Sequence, residues 1–201
     1  MFSSILCHDH PAARSVTNKV PTFLTDGGEM GAIMRRHDWS ATPVGLPDTW
    51  PQSLRTAVRL MLHSQHPMFI FWGDALTCFY NDAYSHSIGP ERHPHALGCN
   101  GHDVWEETWD IIGPQIDQVM AGGGATWHEN QLVPITRGGN QEDVYWTYSF
   151  GPIDDEQADT GVGGVLVICS ETTQTVFAKQ RYQFLSELGD HLRTVTDRIS
   201  R

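Results

Sequence analysis

The pattern of apolar and polar positions along the chain predicts five short strands. Residues 68–72 and 76–80 are apolar runs about one strand long, and the Gly73-Asp74 pair between them favours a tight turn, so the two runs are predicted to form an antiparallel hairpin. Three further extended segments are residues 125–135, 143–153 and 163–171. In the middle one, large apolar residues alternate with more polar ones, as in a half-buried antiparallel strand.

Helical spacing precedes, separates and follows these strands. The clearest helix is predicted over residues 52–64, where Leu54, Val58 and Met61 fall on one side. From residue 172 onward the chain again repeats apolar side chains at helical spacing, and this exit stripe is expected to need a partner. The exit stripe consists of Phe177, Phe184, Leu185, Leu188 and Leu192. Other helices are predicted within residues 28–36, 83–88 and 104–120.

The order of these elements predicts an α+β fold. Two strands, a helical insert and three strands form a five-stranded antiparallel sheet with helices on one face, and further helices flank it at both ends. The predicted segments are residues 1–27, 28–66, 67–172 and 173–201. The first is expected to be a disordered or weakly ordered leader because it has no periodicity. The second is an N-terminal helical extension, the third the sheet domain and the fourth the exit helix.

Composition and charge narrow the classes of function. The chain has 201 residues, of which 39% are hydrophobic, and this suits one domain of ordinary size with extensions or two very small domains. A formal net charge of −11 argues against a surface for nucleic acid or anionic membranes. No apolar run approaches the ~20 residues of a membrane span. Four scattered cysteines and the absence of a secretory signal pattern predict reduced thiols and a cytoplasmic location.

Five short motifs resemble the PAS sensor-domain family. The first, residues 79–84 with the sequence FYNDAY, is similar to the family's aromatic–x–Asn–x–Ala–aromatic junction between a strand and a helix. The others are Leu97-Gly98, residues 122–127, residues 149–154 and residues 164–172, in the last of which Glu171 replaces the family's usual Asp. The resemblance covers residues 67–172. The flanking segments are similar to those of PAS domains at the N-terminus of bacterial multidomain sensor histidine kinases.

The resemblance implies a sensory or regulatory domain that binds a small ligand or cofactor in an apolar pocket. It also implies a homodimer, and an exit helix that carries the signal to a following module such as a GAF domain or a histidine kinase. The pocket residues expected on this basis are Phe69, Phe71, Tyr80, Asn81, Trp105, Trp109, Trp127 and Trp146. Trp109 and Trp127 are favoured among them because the family's pocket-facing helix and third strand lie there.

The cofactor remains unknown, but two chemistries are disfavoured. Gly101 stands where light-oxygen-voltage domains carry their reactive cysteine, and Cys99 lies two positions earlier, which argues against a covalent flavin adduct. Residues 108–120 contain no His, which argues against the haem ligation of other family members. A non-covalent flavin and a small organic ligand both stay open.

Two alternatives to a ligand sensor remain. His93, His95 and Cys99 are close in sequence and could serve a metal- or redox-binding sensor, since imidazole and thiolate are ligands of zinc and copper. The other alternative is a ligand-free protein–protein interaction module that forms dimers. Motifs of nucleotide-binding, serine-hydrolase and zinc-protease sites are missing, so the chain is not expected to be an enzyme.

Overall fold

Residues 20–199 are described by the structure, a computed structural model, and they form a sheet with helices before, within and after it. The helices are α1 (Gly28–Arg36), α2 (Gln52–His63), α3 (Asp82–Ser85), α4 (Gly101–Val104), α5 (Trp109–Met120) and α6 (Thr173–Ile199). The strands are β1 (Met68–Trp72), β2 (Thr77–Tyr80), β3 (Thr126–Leu132), β4 (Ile135–Arg137), β5 (Asn140–Glu142), β6 (Tyr145–Asp154) and β7 (Val162–Glu171).

Five of the strands form one sheet in the order β2-β1-β7-β6-β3, and each neighbouring pair is antiparallel. The hairpin of β1 and β2 is therefore at one edge, and its β1 strand pairs with the last strand of the chain. The remaining two strands, β4 and β5, form a separate hairpin between β3 and β6 in sequence. The predicted α+β fold with a five-stranded antiparallel sheet is confirmed.

Both faces of the sheet are covered at β1 and β2, where every residue is buried. Phe69 and Val167 pair across β1 and β7, and both lie on the face that α5 covers. Ile70, the next residue along β1, points to the opposite face because side chains alternate along a strand. On that face Phe79 stacks on Trp39, with 5.1 Å between ring centroids. The N-terminal extension thus completes the core from the side away from α5.

Residues 20–27 belong to the segment expected to be a disordered or weakly ordered leader, and in the structure they pack against α2. Leu24 is buried, and the Arg59 guanidinium on α2 donates a hydrogen bond of 2.7 Å to the Thr25 carbonyl. An apolar anchor and a fixed cation together hold this segment against α2, which sequence periodicity did not indicate. Residues 1–19 lie outside the described part of the chain.

The pattern of apolar and polar residues did not predict the β4–β5 hairpin. Its turn is Gly138-Gly139, and both residues have positive φ, at 57° and 77°, which glycine adopts without steric cost. The hairpin lies around the gap between two of the predicted extended segments, residues 125–135 and 143–153. The helix predicted over residues 83–88 is also shorter, because α3 ends at Ser85.

Within residues 20–199, no helix combines the length and the apolarity needed to cross a lipid bilayer.

Candidate functional site

An apolar cavity lies between the sheet and the helices α3 and α5. Its volume is about 60 Å³, measured as the space that the centre of a water molecule can reach. A cavity that holds a single water encloses only about 10–15 Å³ in total, so this cavity has room for a molecule of several atoms. Four of the predicted pocket residues line it, namely Phe69, Phe71, Trp105 and Trp146. The lining also includes Tyr84, Thr108, Ile112, Val133, Ile135, Tyr148, Phe150, Val167 and Cys169.

Strand pairing explains why these side chains converge. Phe150 on β6 pairs with Val167 on β7, which pairs in turn with Phe69 on β1. Residues directly opposite one another in an antiparallel sheet share a face, so one row of side chains from three strands forms the floor of the cavity. Ile112 of α5 and Ile135 of β4 close it from above.

Four other predicted pocket residues lie outside this lining. Tyr80 is fully buried, and its hydroxyl is 3.2 Å from Nδ1 of His93. Trp109 packs its ring on Phe71 at a centroid distance of 6.5 Å, outside the lining residues. Trp127 is 65% exposed. It pairs with Ser149, which alternates with cavity residues on β6, so Trp127 projects from the other face of the sheet.

Asn81, the fourth of these, holds the chain rather than lining the cavity. Its side-chain amide donates to the carbonyls of Met61 and His66, at 3.1 and 2.8 Å. Its carbonyl oxygen accepts from the backbone N–H groups of Met68 and Tyr84, at 3.1 and 3.0 Å. One buried side chain therefore joins the end of α2, the start of β1 and the first turn of α3.

Four of the lining residues that were not assigned from the sequence come from β6 and from the segment around β4. Tyr148 and Phe150 lie two and four residues after Trp146 on β6 and share its face, so the same alternation that predicted the strand could have assigned them to the pocket. Val133 and Ile135 come from the inserted segment around β4. No periodicity marks them because the hairpin has only three residues in each strand.

Arg92 and Glu107 form an ion pair beside the cavity, and both side chains bind Thr136 of β4. These contacts hold the β4–β5 hairpin over the cavity. The Arg92 guanidinium also donates to the Thr136 carbonyl at 2.9 Å, and the Glu107 carboxylate accepts from the Thr136 N–H and hydroxyl at 2.8 and 2.6 Å. Partial burial by itself raises the pKa of Glu107, but the hydrogen bonds from Thr136 and the charge of Arg92 outweigh it, and the pKa is lowered overall.

A second fastening joins the hairpin to the end of the sheet. Arg137 forms an ion pair with Glu171 at 2.9 Å and donates to the Ser87 carbonyl at 2.8 Å. Its guanidinium lies 5.9 Å from the ring centroid of Trp146, a wall of the cavity. Glu171 ends β7 immediately before α6. The Thr173 hydroxyl, in the first turn of α6, accepts a hydrogen bond of 3.0 Å from the Tyr145 N–H.

The ionisable groups of the lining are neutral at pH 7. Burial raises the pKa of the Cys169 thiol to about 12 and raises that of Tyr84 well above its ordinary value. The pKa of Tyr148 is also raised by burial, partly offset by a hydrogen bond from Gln115. The cavity therefore presents apolar surface and neutral hydroxyl groups to any occupant.

The alternative metal set of His93, His95 and Cys99 is not assembled. The His93 ring nitrogen is hydrogen bonded to Tyr80, and the Cys99 thiol donates to the His95 carbonyl at 3.0 Å. Between residues 20 and 199, no three His, Cys, Asp or Glu side chains are grouped closely enough to hold a metal ion. The turn-rich loop between α3 and α4 disperses side chains that are close in sequence.

The exit stripe lies on the surface of α6. Phe177 and Leu188 are 47% and 45% exposed, and Phe184 and Leu185 are still more exposed. Tyr145 of β6 contacts Phe177 at a ring-centroid distance of 6.0 Å. The side chain of Leu192, the last member of the predicted stripe, lies outside the described part of the structure.

Neither a protein-family model nor a curated protein matches the chain. Several solved structures are similar in fold. One is an RNA-binding light-oxygen-voltage receptor, with 16% identity over 73% of this chain and a TM-score of 0.48. The chain spans 40% of that receptor's length.

Two further similar structures come from bacteria. The PAS domain of Bordetella pertussis BvgS is 17% identical, with a TM-score of 0.47 over 68% of this chain and 98% of that domain. A sensory box sensor histidine kinase from Vibrio cholerae is 16% identical, with a TM-score of 0.41 over 61% of this chain and 93% of the other. The structures that this chain is similar to thus include PAS domains, as its motifs predicted, and at these identities the similarity is one of fold.

Proposed function

We propose that this chain is a sensory or regulatory domain of the PAS type, which binds a small molecule in its apolar cavity and signals through α6 to a following module. The observation that carries the proposal is the composition of the cavity wall. Strands β1, β6 and β7, helices α3 and α5 and the β4–β5 hairpin all contribute to it. A molecule in the cavity would therefore contact the sheet and the elements that cover one of its faces at once.

The fastening at Arg137 supports a route from the cavity to α6. Ile135 lines the cavity two residues before Arg137 on the same strand, and Arg137 is paired with Glu171 at the end of β7. A ligand that displaces β4 would strain this ion pair next to the start of α6. Such a shift needs only a difference in affinity between two arrangements of the hairpin.

Binding is favoured over catalysis by the chemistry of the lining. Its thiol and phenol groups have raised pKa values, so they are poor nucleophiles and poor bases at neutral pH. The following module would be a GAF domain or a histidine kinase, and a cytoplasmic location belongs to the same proposal. RNA binding in one similar structure is a property of that receptor. The net charge of −11 makes nucleic acid a poor partner for this chain.

The exposed stripe on α6 supports a homodimer. Phe177, Phe184 and Leu188 follow one another at intervals of seven and four residues, the spacing of a helix seam. A second copy of this helix would cover them with an identical stripe. A ligand-free dimerisation module is the second candidate function, because the same stripe supports it without any occupant of the cavity.

Native mass spectrometry, with an absorption spectrum of the purified protein, tests the ligand proposal. We expect a retained small molecule that is released on unfolding. Val167→Phe, which adds a ring inside the cavity, should abolish retention, whereas Leu60→Phe on the exposed face of α2 should not. The bare chain mass in the wild type, or equal retention in both variants, would contradict the cavity as the site.

A further inference from the structure

One polar group in the cavity wall has no partner. Trp105 is 5% exposed and lines the cavity, and its indole Nε1–H makes no hydrogen bond within residues 20–199. An indole nitrogen can only donate. Buried donors in native proteins are almost always paired, so this N–H calls for an acceptor from whatever occupies the cavity.

The hydroxyl of Tyr148, another lining residue, is a second donor. The Gln115 amide nitrogen donates to the Ile111 carbonyl at 3.0 Å and to the Tyr148 hydroxyl oxygen at 2.9 Å. A carbonyl can only accept, which fixes the orientation of the Gln115 amide. The Tyr148 oxygen is therefore an acceptor in this contact, and its proton remains available for donation.

The two arginine side chains near the cavity already form ion pairs with glutamates. Arg92 lies over the Trp105 ring at 4.8 Å, but its guanidinium is bound to Glu107 and to the Thr136 carbonyl. Arg137 is likewise bound to Glu171. A carboxylate in the cavity would have to break one of these pairs or remain unpaired in apolar surroundings, and both are unfavourable.

Size restricts the occupant further. The space open to the centre of a water molecule is about 60 Å³, so the cavity admits a small organic molecule. An intact flavin is far larger than this space in the arrangement of side chains seen here.

We propose that the cavity selects a small neutral molecule with an apolar body and one carbonyl-type acceptor, which receives the Trp105 indole N–H. The inference rests on the proposed function, because it names the ligand class of the same cavity. Trp105 supplies the selectivity for an acceptor, and the aromatic and aliphatic walls supply most of the contact area.

Three probes of five non-hydrogen atoms separate the relevant properties. 2-Butanone carries a carbonyl acceptor, 2-methylbutane replaces the oxygen by a methyl group, and propionate replaces a methyl group by a charged oxygen. Each is added to the ¹⁵N- and methyl-labelled full chain, and binding is followed by NMR at the tryptophan indole N–H and at the methyl groups of Ile112 and Val167. The Trp105 signal is assigned by its loss in Trp105→Phe.

We expect 2-butanone to shift the cavity methyl signals and to move the Trp105 indole proton downfield. Trp105→Phe should lower the preference for 2-butanone over 2-methylbutane about tenfold, the size expected for one buried hydrogen bond, since the loss of ring contact affects both molecules alike. Trp127→Phe is the matched control, because its ring is exposed on the opposite face, and it should change neither affinity. If Trp105→Phe does not fold, the indole shift in the wild-type protein still tests the proposed hydrogen bond.

Two results would overturn the inference in different ways. If 2-methylbutane binds as tightly as 2-butanone with no indole shift, or if propionate binds best, the cavity still binds ligands but the proposed class is wrong. If none of the three shifts the cavity methyl signals at its highest soluble concentration, the cavity is not a site for molecules of this size. The inference is then overturned, and the ligand-binding proposal is decided separately by retention in native mass spectrometry.

Discussion

Asn81 is a buried polar side chain whose hydrogen bonds connect several elements of the fold. It is 1% exposed and bonds to backbone groups on both sides of the β1–β2 hairpin. The motif that contains it was noticed in the sequence, and a ligand role was expected there. Its actual partners are carbonyl and N–H groups of the chain, because the turn after α2 leaves polar backbone atoms buried without partners of their own.

Replacing Asn81 by alanine removes those partners without replacing them. We expect Asn81→Ala to lower the free energy of unfolding by about 2–4 kcal/mol, since buried backbone groups are left unsatisfied. Asn140→Ala, at an exposed position, is the control and should change stability by less than about 0.5 kcal/mol. Urea denaturation measures both. If Asn81→Ala and Asn140→Ala lower the free energy of unfolding by equal, small amounts, water replaces the hydrogen bonds of Asn81.

Glu107 should make the stability of the domain depend on pH in the acid range. Its pKa is lowered in the folded chain relative to the ordinary value of 4.5, so its ionised form stabilises the fold above that value. This contribution is lost as the pH falls through the folded pKa. The difference in unfolding free energy between wild type and Glu107→Gln should thus be constant above about pH 5.5 and shrink below about pH 4.5. Glu106→Gln is the exposed control. If the difference in unfolding free energy between wild type and Glu107→Gln does not change with pH, the role of the Glu107 carboxylate is contradicted.

At the residue scale, the sequence predicts whether a side chain is buried more accurately than it predicts the face of the sheet on which that side chain lies. Phe69 and Phe71, expected in the pocket from the family resemblance, line the cavity. Trp127, expected there on the same basis, projects from the other face, because β3 is half exposed and its single tryptophan could occupy either face. The register against β6 decides this, and a one-residue shift in register reverses every side chain.

At the scale of elements, β7 depends on a close approach to β1. A Cβ atom on Gly164 would lie 2.6 Å from the Phe71 carbonyl oxygen and 2.7 Å from the Trp72 ring. Gly151 on β6 lies on the same face of the sheet, and a Cβ there meets nothing within 4 Å. The two glycines thus form a matched pair in neighbouring strands.

Gly164→Ala is expected to lower the free energy of unfolding by about 1–3 kcal/mol, because backbone and ring must both move. Gly151→Ala should leave stability unchanged or raise it by up to about 1 kcal/mol, since alanine has less freedom in the unfolded chain. Thermal or urea unfolding distinguishes the two. A loss in Gly151→Ala equal to that in Gly164→Ala would contradict this account of the β1–β7 contact.

Element order was predictable because each long helix and strand has its own periodicity. The hairpin of β4 and β5 was not, because three-residue strands are too short to show one. Two cavity residues, Val133 and Ile135, come from this region, so part of the site was hidden for the same reason. The covering of the second sheet face by Trp39 and Trp50 also depends on tertiary contacts between distant segments.

At the scale of the whole molecule, the exit stripe should set the oligomeric state. Phe184→Asp or Leu188→Asp places a charge in the proposed helix seam, and either should convert a dimer into a monomer in size-exclusion chromatography with light scattering. Ser186→Asp adds the same charge on the other side of α6 and should leave the dimer intact. A wild-type monomer, or a dimer that survives all three changes, would contradict a dimer formed through this helix.

An occupant of the cavity is expected to alter the exit helix. Hydrogen–deuterium exchange of the full chain, with and without saturating 2-butanone, reports on both the cavity strands and α6 in one experiment. We expect changed exchange in β6, in β7 and in the first turns of α6, all absent in the cavity-filled Val167→Phe variant. Changes in β6 and β7 with none in α6 would contradict the coupling, and no change in either would contradict binding itself.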